Sequence, residues 1–203
     1  MVARQRPPPL QAPLPSGEIR DGFKFRSGRL SLDLASTLSG RRTEAPKEQL
    51  RTPADLGRWL VLARVAAQVQ EPSEEELGQA RELREAIYRL AMSRARGESF
   101  SARDRAILNR WAAEAPPAPQ LGPRGLLWAG AGVRGQFVVL ARDAAELLGG
   151  PLAENIRHCA QEDCGLLFVD TSRSGLRRWC SMAGCGNKAK VAEFRRRQRS
   201  DAR

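Results

Sequence analysis

The sequence predicts a mainly α, α+β protein: a helical N-terminal domain with short strands, then a small cysteine-rich module at the C-terminus. Three observations carry that prediction. Helix-start signals, each a Ser or Thr with an acid three residues on, fall at Thr52, Ser73 and Ser101. All four cysteines fall between Cys159 and Cys185, and the first 158 residues have none. Between the two regions Gly149, Gly150 and Pro151 break any helix and mark a domain boundary. A chain of 203 residues can bury a core without disulfides. The predicted division is a disordered Pro-rich tail over 1–17, a helical domain over 18–150 and a cysteine module over 151–203.

Each element follows from local chemistry. Residues 1–17 hold five prolines and no periodic apolar pattern, which predicts a disordered or extended tail and not a secretory signal. Globular sequence starts near Phe23. Leu30, Leu32 and Leu34 alternate, while Leu34 and Leu38 are four apart, so strand and short helix both stay open there. Residues 40–49 read as a polar loop. Thr52, with Pro53 at the first helical position and Asp55 in the first turn, starts a helix that the pattern extends to about Val69. Ser73 and Glu76 form a capping box, and Leu77, Ala80, Leu83, Ile87, Leu90 and Ala91 then line one face up to Gly97. Ser101 and Asp104 repeat the device before Ile107, Leu108 and Trp111, and Pro116, Pro117 and Pro119 stop that helix. Residues 126–129 read as a short strand, and 137–148 as a helix with seven apolar residues at helical spacing.

The chain carries 34 Lys or Arg against 23 Asp or Glu, a net charge of +11 at pH 7. Its longest apolar stretch, 59–69, is interrupted by Arg64 and Gln68, so no membrane span is expected. A cytoplasmic location follows, and the basic surplus points to a polyanionic partner without naming it. Residues 151–203 hold 11 Lys or Arg against 6 Asp or Glu, a net of +5 on 53 residues. The first 150 residues carry the remaining +6, more diffusely.

The cysteines are spaced Cys159-x4-Cys164, fifteen residues, then Cys180-x4-Cys185. Two short pairs joined by a turning insert match a four-thiolate tetrahedral site, because each pair can aim both sulfurs at one ion. The ion expected is one structural Zn²⁺, with no position left for water. The alternatives are unligated buried thiols or two disulfides, and a cytoplasmic setting disfavours the latter. In the insert, residues 166–169 read as a strand, 170–175 as a turn and 176–179 as the return strand. His158, the only histidine, reads as a surface or outer residue beside a completed shell. A lone histidine without a paired nucleophile or carboxylate argues against an enzyme. The module's apolar content is small, so residues 151–203 are expected to unfold without zinc while 18–150 stay folded.

The basic residues of this module cluster in two places. Arg173, Arg177 and Arg178 lie in the turn and the segment after it; Lys188, Lys190, Arg195, Arg196, Arg197 and Arg199 lie on a final helix. Val191 and Phe194 form a thin apolar stripe on that helix, expected to pack on the zinc core. A zinc-anchored basic helix is suited to lie along phosphates and to offer arginines to base edges. Trp179 is expected to pack beside the metal.

The segments Cys159-x4-Cys164-Gly165, 167–172, 177–182 and Cys185-Gly186-Asn187-Lys188 resemble, in order, the CGNR zinc finger. Residues 28–37 resemble the opening motif of the ABATE domain that precedes such fingers. The resemblance implies a bacterial, stress-induced transcription regulator with a treble-clef-like, four-cysteine finger of hairpin and basic helix. DNA is then the expected partner, in a nucleoid-associated protein of the cytoplasm. The N-terminal domain would sense an unknown small-molecule ligand or form a homodimer. An RNA- or ribosome-binding zinc module and a zinc-thiolate redox sensor are the rival readings. Two departures stand out. Lys188 occupies the place of the family's signature arginine, keeping charge but losing the planar fork. Ser36 stands where an Asn is usual.

Overall fold

The elements run in the order β1 (Glu18–Arg20), β2 (Phe23–Phe25), α1 (Leu30–Ala35), β3 (Leu38–Ser39), β4 (Lys47–Glu48), α2 (Pro53–Leu62), α3 (Glu74–Arg96), α4 (Ala102–Ala112), β5 (Ala118–Gly122), β6 (Gly125–Ala129), α5 (Val133–Gly149), β7 (Ile156–His158), β8 (Leu167–Val169) and α6 (Asn187–Asp201). This computed structural model describes residues 18–201 apart from 67 and 124; the Pro-rich tail over 1–17 lies outside the described residues. Among the described residues the sheets are two-stranded antiparallel ribbons, so helices supply the framework of a mainly helical α+β fold. Among those residues no helix is long and apolar enough to cross a membrane.

α3 is the axis. Ser73 Oγ accepts from Glu76 N while the Glu76 carboxylate accepts from Ser73 N, which satisfies two of the donors a helix start leaves open. Gly97 ends the helix in the left-handed conformation. Leu77, Ala80, Leu83, Ile87, Leu90 and Ala91 are all buried, and α1, α2, α4 and α5 pack around them. Trp111 of α4 meets Phe137 of α5 edge-on with centroids 5.1 Å apart. Phe25 stacks on Trp59 of α2 at 6.2 Å.

The leucine-rich segment left open between strand and helix is α1. Ser31, Leu32, Asp33, Leu34 and Ala35 are all buried. A six-residue helix sunk in the core has no solvent face, so its leucines need not follow the 3.6-residue stripe of a surface helix. α2 starts at Thr52 as expected but stops at Leu62, seven residues short of Val69. Arg64 turns left-handed, φ +59, and Val65 and Ala66 both donate to the Leu60 carbonyl. The chain then doubles back, and Pro72 and Val69 settle over Gly57. Tertiary packing overrides helix propensity there. The strand over 126–129 exists, within β6; its partner β5 is hidden in sequence by Pro119, an edge residue opposite Trp128.

α5 ends at Gly149, at the expected break. The packing does not stop there. Ile156 of β7 and Leu167 and Val169 of β8 belong to the same core as Phe23, Leu34, Leu83 and Phe137. Val169 N donates to Ser27 O at 2.8 Å, tying β8 to the loop after β2. The expected return strand over 176–179 is not formed. β8 pairs instead with β7, which precedes the first cysteine, in the register Ile156↔Val169 and His158↔Leu167. β7 can bury Ile156 against α3 while pairing; Leu176 is 79% exposed and has no apolar face to join.

Candidate metal centre and nucleic-acid interface

The β7–β8 connection carries the first cysteine pair. Cys159 N donates to Leu166 O at 2.9 Å, closing the loop, and Cys164 N donates to Gln161 O at 3.1 Å, curling it. Gly165 follows at φ +66, and a Cβ there would lie 3.0 Å from Arg41 Cβ, so both conformation and space call for glycine. Of the second pair, Cys180 lies just before a short π-turn, Met182–Gly186, and Cys185 lies on it; the turn runs straight into α6. Ser181 Oγ accepts from Gly184 N at 3.2 Å and Ser181 O from Gly186 N at 2.9 Å. Ala160 N to Arg178 O, 2.8 Å, ties the two knuckles together.

The four sulfurs lie within 4.8 Å of one another. Cys164 Sγ is 3.7 Å from Cys180 Sγ, which is 3.6 Å from Cys185 Sγ. Ligands about 2.3 Å from one tetrahedral zinc stand about 3.8 Å apart, whereas a disulfide needs about 2.0 Å. The donor set therefore fits one structural zinc ion and not a pair of disulfides. Cys159 and Cys180 are buried, and Leu166, Phe168 and Trp179 pack on the sulfur cluster, as expected of Trp179. Without a cation the sulfurs cannot all ionise. Hydrogen bonds from Cys164 and Cys180 pull the Cys159 thiol down to about 2, while Cys164 is pushed up to about 12 by donating to Cys159, and Cys180 rises for the same reason. A dication removes that conflict, and four thiolates leave no position for substrate. His158 stands outside the sulfur cluster, half-buried and held below its ordinary pKa by burial.

Two family models match the chain. Residues 28–151 match ABATE, described as "putative stress-induced transcription regulator", and residues 155–198 match the CGNR zinc finger. The first covers more than half of the sequence. This chain belongs to the ABATE family and carries a CGNR zinc finger. No curated protein matches it.

Besides the shared core, one loop ties the ABATE domain to the finger at β8. The Asp33 carboxylate, 2% exposed on α1, accepts from Arg26 N and Ser27 N, each at 3.0 Å, and from Ser27 Oγ. That clamp presents Ser27 O to Val169 of β8. Burial outweighs the three donors and raises the Asp33 pKa to about 7, with Ser27 and Arg26 opposing and Asp143 adding to the rise. The unfolded chain releases this proton near pH 4 and the folded chain only near 7, so Asp33 costs stability as pH rises through that window. Asp33→Asn keeps an acceptor for the loop and loses the proton. Its stability should gain on the wild type by on the order of 4 kcal/mol between pH 4 and 7.5. Urea denaturation of both proteins measures this, since the difference cancels thiolate protonation common to both; parallel stability–pH curves would show Asp33 to be ionised throughout. Ser36 is committed locally, its hydroxyl reaching the Lys24 and Asp33 carbonyls at 3.0 and 2.8 Å.

The basic residues of the CGNR finger do not all face one way. Arg177 is half-buried and holds the second knuckle: its guanidinium donates to Trp179 O and Cys180 O and lies 4.4 Å from the Phe168 ring centroid. Its amide and that of Ser172 are fixed by Asp170. The cation stripe in sequence could not separate this structural arginine from the rest; an Asp opening a polar turn was the available hint. Arg173, Arg178, Lys188, Lys190, Arg195, Arg196 and Arg197 reach the surface, Arg178 over the Trp179 ring and Arg197 paired with Glu193. Arg199 lies on α6, with its side chain outside the described residues. Lys188 is in the first turn of α6 and exposed, so losing the arginine fork strands no buried partner. The expected packing of Val191 and Phe194 on the zinc core is not found. They are 41% and 63% exposed, because α6 leaves the π-turn and lies away from the core.

Proposed function

We propose that this protein is a DNA-binding transcription regulator whose zinc centre holds α6 and the 170–179 turn against the duplex. One contrast supports the reading. In the ABATE domain many arginines are paired with carboxylates, Arg29 with Asp143, Arg41 with Glu85, Arg84 with Glu48 and Arg89 with Asp104, and exposed ones without an acidic partner among the described residues, such as Arg51, Arg64 and Arg105, are scattered over separate segments. Among the described residues, Arg173, Lys188, Lys190, Arg195 and Arg196 on the finger have no acidic partner and reach solvent. Unpaired cations at the surface of a rigidly anchored helix are the chemistry of phosphate binding. Lys188 and Arg195, seven apart, share a helix face, as do Lys190 and Arg197. Exposed Phe194 between those faces offers an apolar contact of the kind thymine methyls accept.

RNA is the rival polyanion. A single helix fits the DNA major groove, whereas RNA readers generally need several exposed rings. The cavity lined by Ser36, Tyr88, Cys164 and Leu166 has room for about one water molecule, too little for an effector in this state. Replacing Arg195, Arg196 and Arg197 together by Ala should weaken duplex binding across sequences. The slope of log K against log salt should flatten by about 0.9 for each phosphate no longer neutralised. An unchanged slope, or a preference for structured RNA at equal salt, would refute the assignment.

A further inference from the structure

Arg26 is an arginine without an evident purpose. It is half-buried in the loop after β2, and its Nε is sealed from water with no hydrogen-bond partner. Among the described residues no carboxylate pairs with it, although the ABATE domain pairs most of its buried arginines. A partly buried guanidinium without a counter-charge is costly, so a fold that keeps one generally has an anion for it. Its position says which. Arg26 Nη1 lies 3.3 Å from the point where a Cβ on Gly184 would stand, so the guanidinium leans on the knuckle that carries Cys185. The absence of a side chain at Gly184 leaves that space open.

We propose that Arg26 is the counter-ion of the zinc–thiolate centre, supplied to the finger by the ABATE domain. Four thiolates around one dication leave a net charge of −2, and a metal site's electrostatics include groups beyond its ligands. The delivery is rigid. Asp33 holds Arg26 N and Ser27 N, and Ser27 O holds Val169, so the loop is fixed to both regions at once. A positive charge here lowers the thiolate lone pairs in energy. It thereby slows metal loss and weakens the sulfurs as nucleophiles toward oxidants.

The test uses the full-length protein. Arg26→Gln should release zinc to a chromophoric chelator about tenfold faster, at the low end of what loss of an outer-shell partner costs a metal site. With Co²⁺ in place of zinc, its sulfur-to-metal charge-transfer band should move to longer wavelength. Arg26→Lys should restore most of both, since charge and not fork geometry is at stake. Gly184→Ala, which crowds the guanidinium from the other side, should shift the band in the same direction by less and guards against misfolding of the first variant. Wild-type release rates and band position in Arg26→Gln would overturn the proposal. So would equal losses in Gln and Lys variants, which would make the role one of packing.

Discussion

Removal of zinc, by a chelator or by Cys180→Ser, should expose residues 170–198 to protease while β7 and β8 stay protected. The sequence alone suggests that the whole of 151–203 would unfold. The packing draws the line elsewhere. Ile156, Leu167 and Val169 lie in the main core, each at most 2% exposed, and keep their apolar contacts whether or not metal is present. Beyond them the finger has only Phe168, Leu166, Trp179 and the cysteines as a core of its own. Ordering a residue costs about 1–2 kcal/mol in backbone entropy, and so small a cluster cannot offset that over some thirty residues. Structural zinc contributes about 10–16 kcal/mol in isolated finger peptides and supplies the difference. α6, which packs mainly on the π-turn, goes with it, and the proposed DNA binding should be lost together with the knuckles. Peptide-resolved hydrogen exchange before and after chelation measures the boundary. Continued protection of 180–186 without metal would mean that zinc is not what orders the second knuckle.

Arg84→Met should destabilise the protein by about 1–3 kcal/mol, the usual cost of leaving a partly buried polar group without its partner. Arg84 is 3% exposed. It reaches Glu48 at 2.6 Å, Glu85 at 2.8 Å and Thr37 Oγ1 at 3.3 Å, and Arg41 closes the network on Glu85 at 2.7 Å. Burial would raise both glutamates. The Arg84 hydrogen bond and charge nevertheless hold Glu48 below the usual carboxylate range, as Arg41 and then Arg84 do for Glu85. Met keeps the volume and leaves Glu48 without its principal partner. Lys should recover only part, since one ammonium cannot fork between two carboxylates. Adding Glu48→Gln to Arg84→Met should return some of the loss. Chemical denaturation followed by tryptophan fluorescence reads the effect through buried Trp59 and Trp111. A loss under about 1 kcal/mol would show that the network contributes little beyond its own desolvation.

What could be read without coordinates was local. The starts of α2, α3 and α4 are set by side chains three residues apart, Thr52–Asp55, Ser73–Glu76 and Ser101–Asp104, and all three are found in place. The zinc ligands were legible because the two x4 spacings bring each pair of sulfurs to one side of a turn. Element ends and faces were less so. α2 stops at Leu62 because Pro72 and Val69 must cover Gly57, and nothing within the helical pattern announces that. Val191 and Phe194 obey helical spacing yet face solvent, because a period says which residues share a face and not whether anything covers it.

The amino-acid sequence by itself therefore determined the fold class, the helix starts, the four-cysteine zinc site and the concentration of positive charge beside it. These depend on short-range geometry and composition. Only the tertiary structure decided that the β7–β8 hairpin shares the ABATE core, that Arg177 is spent on the knuckle, and that Arg26 of the N-terminal domain leans on Gly184. Those contacts join residues that local patterns cannot relate, and their existence depends on which surfaces the folded elements leave open to one another.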